Sequence, residues 1–199
     1  MHHPHPILVT GAAGRVGARG PVVTKALLDS TYLGATTSMV VVCEHHGVDA
    51  FVNMSQMTVS QMGIHETTDS PQHKQQWLAE QVLRWSGLPV VYMRPTAFME
   101  VFFLAALFPD DQAEQYSSAL GRKISHVDVP VEPWEEELRQ SGMSPHVAAH
   151  LITMAALHRQ NRYDRHTDLV EKLTGSPAMP IADFVRMHAA EFEGEGGRA

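Results

Sequence analysis

Ile7-Leu8-Val9 runs directly into Thr10-Gly11-Ala12-Ala13-Gly14-Arg15-Val16-Gly17-Ala18-Arg19-Gly20. An apolar run that ends on a glycine is the pattern of a strand entering a turn. Glycines at this spacing allow a tight turn, let backbone approach a pyrophosphate, and let the following helix pack closely on the strand. Amides at the N-terminus of that helix then hold the phosphates. Pro21 would break a helix begun at Arg15, but it suits the first position of one that follows Gly20. The stretch therefore reads as an extended phosphate-binding loop: Gly11, Gly14, Gly17 and Gly20 form its cradle, and Arg15 and Arg19 stand beside it. The same residues also suit a plain glycine-rich turn with solvated arginines, and both readings stand at this point.

Working outward, two more apolar runs read as strands, Ala50–Met54 and Pro89–Met93. Helical patterns lie between and after them. Tyr32 to His46 has Leu33, Met39, Val40 and Val42 as its apolar face and Gly47 as its stop. Pro71 to Ser86 carries Leu78, Val82 and Trp85 as one stripe, Thr96 to Phe108 is apolar, and Asp110 to Leu120 ends at Gly121. Residues 55–70 are polar and methionine-rich, a loop. Strands alternating with helices imply an α/β fold with a parallel sheet, here of few strands. From residue 122 the texture becomes α-rich. A strand-like Ile124–Val129 precedes helices over Pro133–Gln140, from Ser144-Pro145, and near Ile181–Phe192. The expected organisation is a domain over 1–109, a small C-terminal subdomain over 110–192, and a disordered tail over 193–199. No internal repeat is present.

The chain has 199 residues, enough for one domain plus an appendage at roughly 150 residues per domain. Its apolar share of 44% and charged share of 19% are those of a folded globular protein. A net charge of −7 argues against nucleic acid or an anionic membrane as partner, because both require a basic surface. Cys43 is the single cysteine, so no internal disulfide forms; its apolar surroundings predict a buried thiol in a reducing compartment. Val101 to Phe108 is too short to span a bilayer, and Met1 to Pro6 has no cationic region followed by an apolar core. These features predict a cytoplasmic protein.

Four stretches occur in a telling order: Val9-Thr-Gly-Ala-Ala-Gly-Arg-Val-Gly17, His46-Gly-Val-Asp-Ala-Phe-Val-Asn-Met-Ser-Gln56, Ser70-Pro-Gln-His-Lys74, and Gly87-Leu-Pro-Val-Val-Tyr-Met-Arg-Pro-Thr-Ala-Phe98. Together they resemble the NmrA-like group of atypical short-chain dehydrogenases. The resemblance implies a Rossmann-like domain that binds NAD(P), with a cleft to a small substrate-side subdomain. It implies either NAD(P)H-dependent reduction of a quinone or similar electrophile, or cofactor sensing that regulates a protein partner. Two blocks of the family pattern are missing, one between Leu28 and Ser30 and one between Leu104 and Asp110. The first gap removes the second strand, whose end selects between NAD and NADP. Either the remaining strands close up, or the sequence lacks residues, in which case a relative without a cofactor site results. The arginines of the glycine loop tilt the preference to NADP.

The resemblance also assigns site residues. In the Tyr-x-x-x-Lys pattern of the wider family the lysine matches Lys74, which would hold the nicotinamide ribose, while the tyrosine position is Ser70, too weak an acid to replace it. Ser55 resembles the family's cleft serine, at the strand end where such folds hold ligands. Ser55 and Lys74 are thus the catalytic and cofactor-contacting candidates. Asn53 and Gln56 stand near the expected nicotinamide side. Met57, with Met54 and Met62, offers an adaptable apolar pocket, or simply fills core gaps. Arg94, at the end of the third strand, faces either a cofactor or substrate anion or an acidic surface group. His73, beside Lys74, could donate a proton near neutral pH, but it reads rather as a surface histidine. His146 and His150 share a helix face without the glutamate of a zinc-protease motif, and no metal site is assigned. The expected partners are a small-molecule substrate and, in the sensing alternative, a regulatory protein.

Overall fold

The computed structural model describes residues 7–10, 30–96, 98–99, 110–165 and 167–193. Three strands form a parallel sheet: β1 (Ile7–Thr10), β2 (Ala50–Met54) and β3 (Val90–Met93), in that spatial order. Ile7 stands opposite Ala50, and Thr10 opposite Asn53; Phe51 stands opposite Val90, and Met54 opposite Met93. The strands have closed up, as one of the two sequence readings required, and β1 lies directly against β2. Parallel neighbours need a crossover, and α2 (Pro71–Trp85) supplies the one between β2 and β3.

The core lies between this sheet and two helices. α1 (Tyr32–His46) presents Val40 and Cys43, α2 presents Leu83, and both meet Phe51, which is fully buried. Burying side chains of this size contributes roughly 2–3 kcal/mol each, which pins the helices to the sheet. Side chains alternate along β3: Val90 and Tyr92 pack on that core, whereas Val91 and Met93 point to the exposed side. Cys43 is buried, and burial raises its thiol pKa.

α1 stops where the sequence put its stop. Gly47 has φ 61° and ψ 52°, and the amide of Val48 reaches back to the Cys43 carbonyl at 3.3 Å. A Cβ at this position would meet no neighbour, so the penalty of adding one lies in the backbone alone. Gly47→Ala is expected to cost about 1 kcal/mol with the fold retained, read as a lower urea midpoint at unchanged m-value.

α2 overturns its sequence reading. Leu78 is 41% exposed and Trp85 79% exposed, while the buried stripe is Gln72, His73, Gln76, Ala79, Glu80 and Leu83. Most of that stripe is polar, and it stays buried because the loop before α2, Arg94 just after β3, and His146 supply hydrogen bonds. The loop after β2 contains one turn of 3₁₀ helix, Met57–Gln61. The predicted α3 (Asp110–Leu120) is present, as are α4 (Val131–Gln140) and α5 (Pro145–Arg159). α4 begins two residues before the expected Pro133, which still falls in the first turn, where a helix leaves its amides unpaired. Ser144 caps α5 by accepting from the Val147 amide at 3.3 Å.

The strand expected at Ile124–Val129 does not form. Ser117 of α3 takes the backbone of Ile124 instead, accepting its N–H at 2.8 Å and lying 3.2 Å from its carbonyl, and Val127 remains 69% exposed. The last expected helix is two: α7 (Ile181–Met187) and α8 (Ala189–Glu193), separated at His188, whose ring lies tilted against Phe184 at 4.4 Å. A short α6 (Leu169–Thr174), absent from the sequence reading, carries no buried residue.

Two compact units result, residues 1–96 with 131–163, and 97–130 with 164–199. α4 and α5 belong to the first by packing, although they follow α3 in sequence. In the second unit α3 packs on α7, with Phe184 and Val185 buried and the Tyr116 and Phe192 rings in edge contact at 5.6 Å. Among the described residues no helix is long and apolar enough to cross a membrane. The glycine loop 11–20, the expected helix at 21–28 and the tail 194–199 lie outside the described residues, as does most of the expected helix at 96–108, of which Thr96, Phe98 and Met99 are described and are not helical.

Candidate functional site

The carboxyl ends of parallel strands are where α/β sheets hold ligands, because loops and helix N-termini converge there. At this end of β2 the chain continues through Ser55, whose amide donates to the Met93 carbonyl at 2.8 Å, and Met57, whose amide donates to the Pro95 carbonyl at 2.9 Å. These bonds hold Ser55 rigidly at the sheet's edge. Ser55 is only 3% exposed, and its Oγ has no hydrogen-bond partner among the described residues. A buried hydroxyl left in that state costs about 1–3 kcal/mol, a cost that a polar ligand group would remove. A dinucleotide laid across the strand ends presents such groups, so the described part of the site fits one.

Beside Ser55, Tyr32 of α1 points its hydroxyl at the Met54 carbonyl (2.8 Å) and at Asn53 Oδ1 (3.2 Å). Burial, more than anything else, raises the pKa of this phenol well above the ordinary tyrosine value. Its proton is committed to the backbone, so Tyr32 orders the strand end and supplies no acid in place of the tyrosine missing at position 70.

The other predicted residues separate. Lys74 is exposed on the outer stripe of α2, with Leu78 and Trp85. Ser70, fully buried, caps α2 by accepting from the His73 amide at 3.1 Å and lies 2.9 Å from His150 Nδ1 on α5. Arg94 is bound to the buried carboxylate of Glu80 on α2, with Nε at 2.8 Å from Oε1 and Nη2 on Oε2. Of the methionines, Met54 is buried, Met57 is half-buried, and Met62 lines a cavity described below.

A buried polar network that the sequence reading missed lies under this loop. His73, expected at the surface, is fully buried. Its Nε2 is 3.1 Å from Gln56 Oε1, and the Gln56 amide nitrogen donates in turn to Gln76 Oε1. That pattern puts the imidazole hydrogen on Nε2, so Nδ1 accepts from the Thr68 hydroxyl at 2.8 Å. His150 meets the His73 ring edge-on at 4.9 Å, and His146 Nε2 lies 2.7 Å from Gln72 Oε1. Burial lowers the His73 pKa to about 4. Burial and then the neighbouring His73 and His146 lower that of His150 to about 3. Both are neutral near pH 7 and act as hydrogen-bonding struts between α2, α5 and the loop. Gln72, His73, Gln76 and Glu80 recur at helical spacing, so the sequence did carry a signal: a polar stripe opposite the apolar one.

No family model matches the chain. It is 31% identical over 87 residues to the NAD(P)H azoreductase of Xenophilus azovorans, a match covering 44% of this chain and 30% of that enzyme. The chain thus aligns with under a third of that relative's length. Its structure is similar to that of the Citrobacter sp. triphenylmethane reductase solved with NADP(H), with a TM-score of 0.64, 14% identity, and coverage of 91% and 75% of the two chains. It is also similar to an NADPH-dependent quinone oxidoreductase of Escherichia coli (TM-score 0.64, 13% identity, coverage 90% and 98%). A nucleoside-diphosphate-sugar epimerase of Staphylococcus aureus gives a TM-score of 0.63 at 13% identity, over 79% and 72%. The parallel sheet with its crossover helices is therefore of the Rossmann type seen in NAD(P)-binding proteins.

Proposed function

We propose that the chain binds NAD(P)H and reduces a small electrophile, in the manner of an NmrA-like reductase with a shortened sheet. The observation that carries the reading is the Ser55 hydroxyl, without a partner among the described residues and buried at the carboxyl end of a parallel strand beside the strand that feeds the glycine loop. Gly11, Gly14, Gly17 and Gly20 would cradle the pyrophosphate, Arg15 would meet phosphate and favour NADP, and Ser55 would hydrogen-bond the nicotinamide half. When bound, the cofactor supplies a hydride to the electrophile. The chain's own part is to bind, orient and shield from water. The proton that completes the reduction comes from solvent, because Ser70 and Tyr32 are both committed to buried partners.

That same commitment favours a second reading, a non-catalytic NAD(P) sensor that acts on a protein partner. Calorimetric titration with NADPH and NADH separates the readings, followed by turnover assays with quinones, azo compounds and aldehydes. Binding at micromolar concentration with turnover is expected for the reductase. Binding without turnover favours the sensor. Gly14→Trp should abolish binding under either reading; absence of binding by the unaltered chain at millimolar cofactor overturns both.

A further inference from the structure

A second feature of the same unit concerns what the electrophile is. A cavity of about 520 Å³ opens between the 3₁₀ turn with its following loop and the carboxyl-terminal half of α5. Its volume lies in the range of small-molecule sites. It sits on the loop that leaves the carboxyl end of β2, the side of the sheet where the cofactor reading places the nicotinamide.

Hydrogen bonds hold several wall residues in place. The Thr58 hydroxyl is tied to the Tyr163 hydroxyl at 2.8 Å, and Thr68 to the buried His73 at 2.8 Å. Arg162 directs Nε and Nη2 at Gln61 Oε1, at 3.1 and 2.8 Å. Side chains held in this way keep a site's shape before a ligand arrives. The lining is chemically specific. Thr67 and Thr153 add hydroxyls, and Met62 and Leu157 provide a limited apolar floor. Charge then decides between ligands of equal size. Glu66 and Asp69 both line the cavity, and neither has an ion-pair partner among the described residues. Arg162, the cation among the described lining residues, gives Nε and Nη2 to Gln61 Oε1 and keeps its charge, so the wall sets two carboxylates against one guanidinium.

We propose that this cavity is the substrate pocket and that it selects an electrophile carrying a positive charge, such as an ammonium group, with polar substituents facing the threonines. The proposal rests on the reductase reading for the word substrate, but the cationic selectivity stands on the cavity alone. An anionic analogue would meet two carboxylates against a single guanidinium.

The test uses the full chain and two probes, a benzoquinone bearing a trimethylammonium group and the same quinone bearing a sulfonate. Dissociation constants come from calorimetry at low ionic strength, with and without NADPH, and NADPH oxidation is followed by absorbance. The cationic probe is expected to bind at least about fivefold tighter, the scale of one solvent-exposed charge contact. Combined substitution Glu66→Gln and Asp69→Asn, both at exposed positions, should bring the ratio close to unity without moving the thermal midpoint. Equal affinities for the two probes, or a preference that survives the double substitution, overturn the proposal. Selective binding of the cation without NADPH oxidation supports the cavity assignment and overturns the reductase reading.

Discussion

Lowering the pH from neutrality to about 5 is expected to cost the protein about 4 kcal/mol of stability through His73 and His150 alone. Both imidazoles have folded pKa values well below the ordinary 6.5, at about 4 and about 3. Above 6.5 they are neutral in the folded and unfolded chains alike, and they add no pH dependence. As the pH falls below that point the unfolded chain takes up protons that the folded chain refuses. Stability therefore declines from about pH 6.5 down to the folded values, by up to about 1.4 kcal/mol per unit for each histidine. The refusal is physical: burial strips water from a charged imidazole at either site, and a charged His150 would also sit against His73 and His146. Urea midpoints at pH 7, 6 and 5 measure the slope. His150→Gln, which keeps a hydrogen-bonding group facing Ser70 and cannot titrate, should reduce the slope by about half. An unchanged slope in that variant would show the network does not behave as described.

Arg94→Leu is expected to destabilise the fold by about 3 kcal/mol. Glu80 has a side chain only 1% exposed, and Arg94, 28% exposed, holds both of its oxygens. Arg84 lies 3.6 Å from the same carboxylate but is 53% exposed, so it compensates only partly. Removing Arg94 leaves a buried charge with one screened partner, which is costlier than losing the pair altogether. The Tyr92 ring, 5.5 Å from the Arg94 guanidinium, also loses a cation–π contact. Combining Arg94→Leu with Glu80→Gln should recover more than half of the loss, a coupling read from a double-mutant cycle of urea unfolding. Additive losses would mean that the bidentate pair is absent in solution.

The same pair shows why site residues are harder to read than elements. An arginine at a strand end, Arg94, suits an anionic ligand as well as a buried glutamate, and the residue that engages it lies 14 positions earlier on α2. Ser55 was legible because it directly follows a strand. Ser70 was read only as the position of an absent tyrosine; its capping of α2 and its partner His150, 80 residues later, emerged from the structure. The cavity lined by Thr58, Asp69 and Arg162 had no sequence signature, since it exists only where the loop after β2 meets α5.

The sequence by itself determined the local elements of the α/β core. Apolar runs bounded by glycine and proline set β2 and β3, Gly47 ended α1 because only glycine adopts φ 61° without strain, and Ser70 and Ser144 began α2 and α5 by capping their amides. Tertiary structure alone decided which face of α2 is inside. Periodicity favours burying Leu78 and Trp85, yet Gln72, His73, Gln76 and Glu80 went in. A polar stripe can be buried when every group meets a partner, and those partners, Gln56, Thr68, Arg94, His146 and His150, come together only when distant segments pack. Closing β1 onto β2 is of the same kind, a pairing between residues 40 or more positions apart that no local pattern encodes.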